Sequence, residues 1–148
     1  MIIHKSLIEL HVKSKNKTEI IATLARKAKE LGCISDVTGY IQSVFALDES
    51  FPTAFGYGIA IPYGKSTYVK TPFIAFARSD EAFQWDSRVD HKVRLIFLIG
   101  MPEEQDEDLD FKMLTHMSGG LTNESYKKRL LGAVNAAQVV VIFEEMGL

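Results

Sequence analysis

Apolar residues near the start of the chain change from a period of two to a period close to four. Over residues 8–12 apolar and polar side chains alternate, which predicts a half-buried strand. Asn16 and Glu19 then have the spacing of a capping box, and apolar residues recur at helical spacing as far as Leu31. Gly32 is the predicted stop, so the first two elements are a strand and a helix.

A second helix is predicted directly after the first. Ser35 is its expected N-cap, and the Phe51-Pro52 pair breaks the pattern after about Asp48. Its apolar face consists of Val37, Tyr40, Ile41, Val44 and Phe45. The chain therefore begins with one strand followed by a pair of helices.

The middle of the chain is predicted to form the strands of a buried sheet. Residues 55–64 mix three glycines with a short apolar run, which suits a strand entering a tight turn. We therefore expect Tyr63 at the C-terminal end of a central strand. Residues 73–77 and 93–99 are apolar runs typical of buried central strands. The polar stretch 79–92 between them is predicted to be a loop or a hairpin.

The last third of the chain is predicted to be mainly helical. Its first helix carries Phe111, Leu114, Met117 and Leu121. A run of acidic residues precedes and enters that helix, and negative charge there complements the helix dipole, so capping is the simplest interpretation. Thr122-Asn123 starts a further helix and Asn135 caps a final one, although the run 139–142 favours a strand. Strands interleaved with helix pairs predict an α/β fold, a three-layer α/β/α sandwich.

Composition and charge exclude several classes of function. The 148 residues fit a single domain spanning 1–148. The 17 basic and 19 acidic residues give a net charge of −2, which excludes a general nucleic-acid binder. The longest apolar stretch, 95–101, is far shorter than the roughly 20 residues of a membrane helix. No secretory signal is visible either, so we expect a cytoplasmic protein without membrane insertion.

Candidate motifs for cofactors and metals fail on their spacing. Residues 64–66 read Gly-Lys-Ser, but five residues separate Gly58 from Gly64 where a phosphate-binding P-loop has four. The four histidines are scattered without the spacing of a zinc site. Cys33 is the single cysteine, so it cannot form an intramolecular disulfide. The sequence therefore predicts no cofactor and no metal.

Four segments together resemble a known family of bacterial proteins. They read FPTAFGYGIAIPYGK, TPFIAFARSDEAFQWD, VRLIFLIGMPEE and LDFKMLTHMSGGL. The first resembles the signature of the type 2 enzyme IIA (EIIA) domains of the phosphoenolpyruvate:sugar phosphotransferase system, the fructose/mannitol/nitrogen-regulatory class. The resemblance implies a mixed sheet of about five strands with helices on both faces. It also implies a cytoplasmic phosphocarrier that accepts phosphate from the carrier protein HPr and passes it to a sugar-specific IIB domain.

Two residues that the family signature reserves for histidine differ in this chain. The signature places the phosphoacceptor histidine directly after Ile-Pro, where this chain has Tyr63. A second family histidine lies eight residues before a serine in the following helix, and counting back from Ser118 gives Asp110. We expect the two side chains to share a shallow exposed depression. His116 lies about 240° around the helix from Asp110 and does not simply substitute for it.

These replacements change the chemistry that the site supports. Neutral imidazole is nucleophilic near pH 7, whereas a phenol with an ordinary pKa near 10 is almost wholly protonated. A carboxylate at Asp110 has the wrong sign for stabilising a transferring phosphoryl group.

Three interpretations of the chain follow. In the first it has lost phosphocarrier activity and acts as a regulatory or binding module with a protein partner. In the second it remains a working EIIA component, phosphorylated on Tyr63 or around His116 and partnered by HPr and IIB; whether His91 takes any role stays open. In the third Tyr63 and Asp110 form an acid–base pair for an unrelated small ligand.

Overall fold

The computed structural model describes residues 2–50, 53–54 and 56–148. Within these residues the chain forms five strands and five α-helices after a short 3-10 turn. The strands are β1 (Ile8–Val12), β2 (Ile59–Ala60), β3 (Tyr63–Ser66), β4 (Phe73–Gln84) and β5 (Lys92–Pro102). The helices are α1 (Lys17–Glu30), α2 (Val37–Ser50), α3 (Glu107–Leu121), α4 (Glu124–Gly132) and α5 (Ala136–Glu145). In this part of the chain no helix is both long and apolar enough to cross a bilayer.

The described strands join in one mixed sheet. Its order is β1-β4-β5-β2, and β3 also pairs with β5, further along the same edge. β4 and β5 form an antiparallel hairpin, whereas β1 runs parallel to β4. β2 and β3 both run parallel to β5. The expected mixed sheet of about five strands is confirmed.

The sheet separates two apolar cores, because alternate side chains of each strand point to opposite faces. Ala75 and Ala77 of β4 pack with Leu24 of α1 and other residues of α1 and α2. Ile74 and Phe76 of the same strand pack in the other core with residues of α3, α4 and α5. At the centre of the second core, Phe76, Phe97 and Phe143 form a triangle with ring centroids 5.1–5.9 Å apart. The three-layer α/β/α architecture is thereby confirmed.

The N-terminal elements agree with their sequence signals apart from one cap. The backbone N–H of Glu19 donates to Asn16 Oδ1 at 3.0 Å, so Asn16 caps α1 as predicted. The prediction of Ser35 as the cap of α2 is wrong by one residue. Asp36 takes that place, accepting a hydrogen bond from the N–H of Gly39 at 2.8 Å. The helix continues to Ser50, and the predicted Phe51-Pro52 break lies outside the described residues.

The strand tendency of residues 139–142 is overruled by their packing. These residues lie within α5, whose cap is Asn135, as expected. The buried side chains of α5 are Val139, Ile142 and Phe143, which is the spacing of one helix face. β-branched residues lower helix propensity only slightly, and burial of that face against the sheet outweighs the difference.

The segment leading to Tyr63 differs from the prediction of one continuous strand. Phe55, its predicted first residue, lies outside the described residues. The positive φ angles of Gly56 (25°), Tyr57 (63°) and Gly58 (77°) form a left-handed turn before β2. Pairing with β5 stops after Ala60 and resumes at Tyr63. Proline cannot donate to a ladder, so Pro62 explains the interruption.

The predicted excursion 79–92 is a hairpin, but a shorter one than expected. β4 continues as far as Gln84 and β5 begins at Lys92. The pairing register shifts between Arg78 and Phe83. Much of the polar stretch is therefore strand rather than loop.

Candidate functional site

Tyr63 opens an edge strand instead of ending a central one, which corrects the prediction from the sequence. It pairs with Ile99 of β5, and its side chain is half-buried rather than fully exposed. A Cβ on the next residue, Gly64, would lie 2.7 Å from Ser43 and Val44 of α2. Gly64 therefore faces α2, and because strand side chains alternate, Tyr63 and Lys65 face α3.

The structure brings Asp110 of α3 next to Tyr63 and Lys65. Asp110 is only 6% exposed, although the acidic residues around it are exposed. Lys65 forms an ion pair with Asp110 Oδ2 and also donates to the Gln105 carbonyl at 2.8 Å. The Gln105 side-chain Nε2 donates to Asp110 Oδ1 at 2.7 Å. Both carboxylate oxygens of Asp110 are thus held by donors.

Capping accounts for only part of the acidic run. Asp106 is the N-cap of α3, and its side chain accepts from the N–H of Asp108 at 2.7 Å. Asp110, by contrast, points inward to Lys65. The interpretation of the run as simple helix capping therefore holds for Asp106 and is wrong for Asp110.

The surroundings of Tyr63 keep its phenol protonated. Burial, then the negative charge of Asp110 and hydrogen bonding to that carboxylate, raise the pKa of Tyr63 to about 12. On the opposite face of the sheet, the buried Tyr40 of α2 donates its hydroxyl to the Ile99 carbonyl at 2.7 Å. Burial also raises the pKa of Tyr40 well above its ordinary value. At neutral pH neither phenol is a nucleophile.

The histidines lie away from this pair of residues. His116 is exposed and lines a groove with Tyr126, Glu145 and other residues of α3, α4 and the end of the chain. His91 is also exposed, and its ring lies near Gly56. Among the described residues, no cluster of three or more His, Cys, Asp or Glu side chains is arranged to hold a metal ion.

Two site residues were missed by reasoning from the sequence. Lys65 occurs in the failed P-loop motif and at the end of the first family segment without a role of its own, and Gln105 belongs to none of the motifs. The strand period offers a signal for Lys65, since a residue two positions after Tyr63 shares its face. Gln105 has no comparable signal, because it lies in the connection between β5 and α3 and reaches Asp110 only through the fold.

An exposed surface surrounds the buried Asp110, and we call it the α3 surface. Leu109 is 55% exposed and Phe111 is 72% exposed, one on each side of Asp110 along the helix. The exposed acids of the α3 surface are Glu103, Glu104, Asp106, Glu107 and Asp108. The surface therefore combines large apolar side chains with strong negative charge.

Comparison with known proteins places the chain in one family. A family model described as "Phosphoenolpyruvate-dependent sugar phosphotransferase system, EIIA 2" matches residues 1–146. A fructose-like EIIA component of Escherichia coli is 32% identical over 103 residues, 70% of each chain. The match to the fructose-specific EIIABC component of Bacillus subtilis is 28% identical and covers 95% of this chain but only 22% of that protein.

Solved structures agree in fold. The nitrogen regulatory protein IIA-Ntr of Neisseria meningitidis is 25% identical and superposes with a TM-score of 0.86 over 95% of each chain. The mannitol enzyme IIA of Escherichia coli, solved in complex with phosphorylated enzyme IIB, is 20% identical with a TM-score of 0.79 over 96% of each chain. The chain belongs to the type 2 EIIA family of the phosphoenolpyruvate-dependent sugar phosphotransferase system.

Proposed function

We propose that this chain is an EIIA-fold regulatory or binding module that does not carry phosphate. In this proposal Tyr63 occupies the position of the phosphoacceptor histidine, and Asp110 that of the second histidine. The observation that carries it is a phenol with a pKa of about 12 beside a carboxylate held by a lysine. A phosphocarrier needs a group that is nucleophilic at neutral pH and gives its phosphate away again.

The neighbours of Tyr63 offer no way to activate it. The Asp110 carboxylate lies within hydrogen-bond reach of the Tyr63 hydroxyl, but its two oxygens also accept from Lys65 and Gln105. Because these donors hold its negative charge, Asp110 is poorly suited to act as general base for the phenol. The raised pKa of Tyr63 means that its surroundings favour the protonated phenol. The same facts disfavour an acid–base pair acting on a small ligand, since proton transfer is fastest with a pKa near the working pH.

The α3 surface supports partner binding. An exposed aromatic side chain such as Phe111 is typical of the centre of a protein interface, and polar groups are typical of its rim. The negative charge of the α3 surface favours a partner with a basic contact face, because complementary charge accelerates and selects association. HPr and a IIB domain are the partners if the relay is retained; otherwise the partner is a regulatory protein.

A working sugar EIIA component is the second candidate. It is favoured by the family match over residues 1–146 and by the similarity to a fructose-like EIIA component. In that case the chain would be phosphorylated at Tyr63 or at a histidine such as His116, with HPr as donor.

The test is incubation with phosphoenolpyruvate, enzyme I and HPr, followed by intact-mass measurement before and after mild acid. We expect no added phosphate, while the fructose-like EIIA component of Escherichia coli is labelled in parallel. Acid-labile phosphate mapped to a histidine would overturn the proposal in favour of the second candidate. Acid-stable phosphate on Tyr63 would also contradict the proposal, because the chain would then accept phosphate from HPr.

A double substitution serves as the control for docking to HPr. Tyr63→His with Asp110→His returns two imidazoles to the site, and we expect this variant to become labelled if the HPr contact surface is intact. If a folded double variant stays unlabelled, the partner of the α3 surface is a protein other than HPr.

A further inference from the structure

We infer that two copies of this chain bind each other along one side of α3, each placing Phe111 against a pocket beside Tyr57 of the other. The contact is isologous, because each copy supplies both the protruding side chain and the pocket. The self-contact covers the α3 surface and competes there with the partner, so it rests on the proposed function and adds regulation of that surface.

The pocket lies between the C-terminal half of α3 and the segment before β3. It is a mainly apolar cavity of about 90 Å³, which we call the Tyr57 pocket. Its lining includes Tyr57, Ile59, Ile61, Ser118, Leu121 and Thr122. A dry apolar cavity of about 150 Å³ holds a benzene molecule, so the Tyr57 pocket accepts the edge of an aromatic ring.

Tyr57 forms an exposed aromatic wall of this pocket. It is 62% exposed, and its φ of 63° lies in the left-handed region, which bulky residues rarely adopt. Lys127 Nζ lies 5.9 Å from the centre of its ring. Such backbone conformations persist where the surroundings hold them, and they cluster at sites that bind ligands. The Tyr57 ring is therefore placed to pack against an incoming aromatic side chain.

Phe111 projects from the same side of α3 as the pocket. It is 72% exposed. Ser118 and Thr122, which line the pocket, lie within about 20° of Phe111 around the helix axis. Ser118 is about 10 Å further along that axis. Two copies of α3 that pack antiparallel along this side therefore bring Phe111 of each copy against the Tyr57 pocket of the other.

The charges along this side of the molecule are complementary in the same orientation. Glu107 and Asp108 are exposed and lie one turn before Phe111, at the spacing of helix neighbours. Lys127 stands over Tyr57 at the pocket. The antiparallel arrangement brings the acids of each copy towards Lys127 of the other, whereas a parallel one would place acids against acids. Complementary charge therefore selects the antiparallel dimer.

The experiment is analytical ultracentrifugation of the full chain from micromolar to millimolar concentration. We expect a monomer–dimer equilibrium whose Kd rises at least about tenfold in Phe111→Ser, because aromatic anchors dominate interfaces. Leu109→Ser is the matched control, since Leu109 is 55% exposed but lies about 200° around α3 from Phe111. We expect no change there. A native chain that stays monomeric would overturn the inference and leave the Tyr57 pocket to a different protein; equal weakening in the two variants would also overturn it.

A charge reversal tests the orientation. Lys127→Glu should weaken the dimer, and adding Asp108→Lys should restore much of the lost affinity. Lys128→Glu is the control, because it changes the charge equally at the next, exposed position. Equal losses in Lys127→Glu and Lys128→Glu would overturn the inference, because net charge alone would explain them.

Crosslinking locates the two-fold axis without weakening the contact. The midpoint between Phe111 and Ser118 falls at residues 114–115, so a short thiol crosslinker should join two copies of Thr115→Cys. Thr38→Cys is the control, since Thr38 is exposed on α2, across the sheet from α3; the native Cys33 is buried in both. No crosslinked Thr115→Cys dimer, or an equal yield from Thr38→Cys, would refute the arrangement. Such a failure is distinct from failure of the proposed function, which is measured as covalent labelling from HPr.

Discussion

The Lys65–Asp110 ion pair should contribute measurably to the free energy of unfolding. We test this with a double-mutant cycle that compares the native chain with Lys65→Met, Asp110→Asn and the combined variant. Methionine keeps most of the lysine stem, and asparagine keeps the shape of the carboxylate. The cycle isolates the interaction energy between the two side chains.

The expected magnitude follows from burial. Contacting unit charges attract by about 5 kcal/mol at an effective dielectric near 20, and removing one partner of a buried pair costs about 3–5 kcal/mol. Asp110 is 9% exposed at its side chain, but Lys65 is 23% exposed and partly screened by water. We therefore expect a coupling energy of about 2–3 kcal/mol, which is less than the cost of breaking a fully buried ion pair.

The assay is urea unfolding of the four proteins at pH 7 and low salt. The Lys15–Glu81 pair provides the control cycle, with a 2.6 Å contact but side chains 55% and 71% exposed. Exposed pairs gain little because water screens them, so that coupling should be close to zero. If the two cycles gave the same coupling, burial of Asp110 would not strengthen its pairing, and the reasoning about the site would be refuted.

Two further predictions concern stability. Lys17→Met should lower the free energy of unfolding by about 2–4 kcal/mol, because Lys17 pairs with the buried Asp48 and Asp86. Chemical denaturation should show little change for the control Lys15→Met, and an equal loss of stability in the two variants would contradict the prediction. The folded chain retains the Tyr63 proton up to a pKa of about 12, against 10.0 ordinarily. Its contribution to stability is therefore complete below pH 10 and lost between pH 10 and 12, so Tyr63→Phe should flatten that decline in denaturation curves. If the stability of the native chain and of Tyr63→Phe declined equally between pH 10 and 12, the raised pKa of Tyr63 would be contradicted.

Local signals in the sequence were sufficient for most elements. Asn16, Asn123 and Asn135 all cap helices in the structure, because a cap depends on hydrogen bonds within a few residues. The periodicity of β1 and the apolar runs of β4 and β5 likewise depend on which side chains are buried. The final helix was expected from its Asn135 cap, but the strand tendency of residues 139–142 is overruled only by contacts distant in sequence.

At the site, too, the sequence predicts some features and only the contacts distant in sequence decide others. The resemblance to the family pointed to Tyr63 and Asp110, which the fold places side by side. It did not reveal that Asp110 is compensated, so the sequence suggested a repelling charge where the structure has an ion pair. Position 65 is 45 residues from Asp110, and no local pattern relates them.

The amino-acid sequence by itself determined the family and most of the order of helices and strands. These properties follow from local hydrogen bonding and from the separation of apolar and polar residues. Only the tertiary structure decided that β3 lies at an edge, that Asp110 is buried, and that Lys65 and Gln105 hold it. Those features depend on the packing of α3 against one face of the sheet. This packing buries Asp110 and places Lys65 and Gln105, which are distant from it or unrelated to it by any local pattern, within bonding distance of its carboxylate.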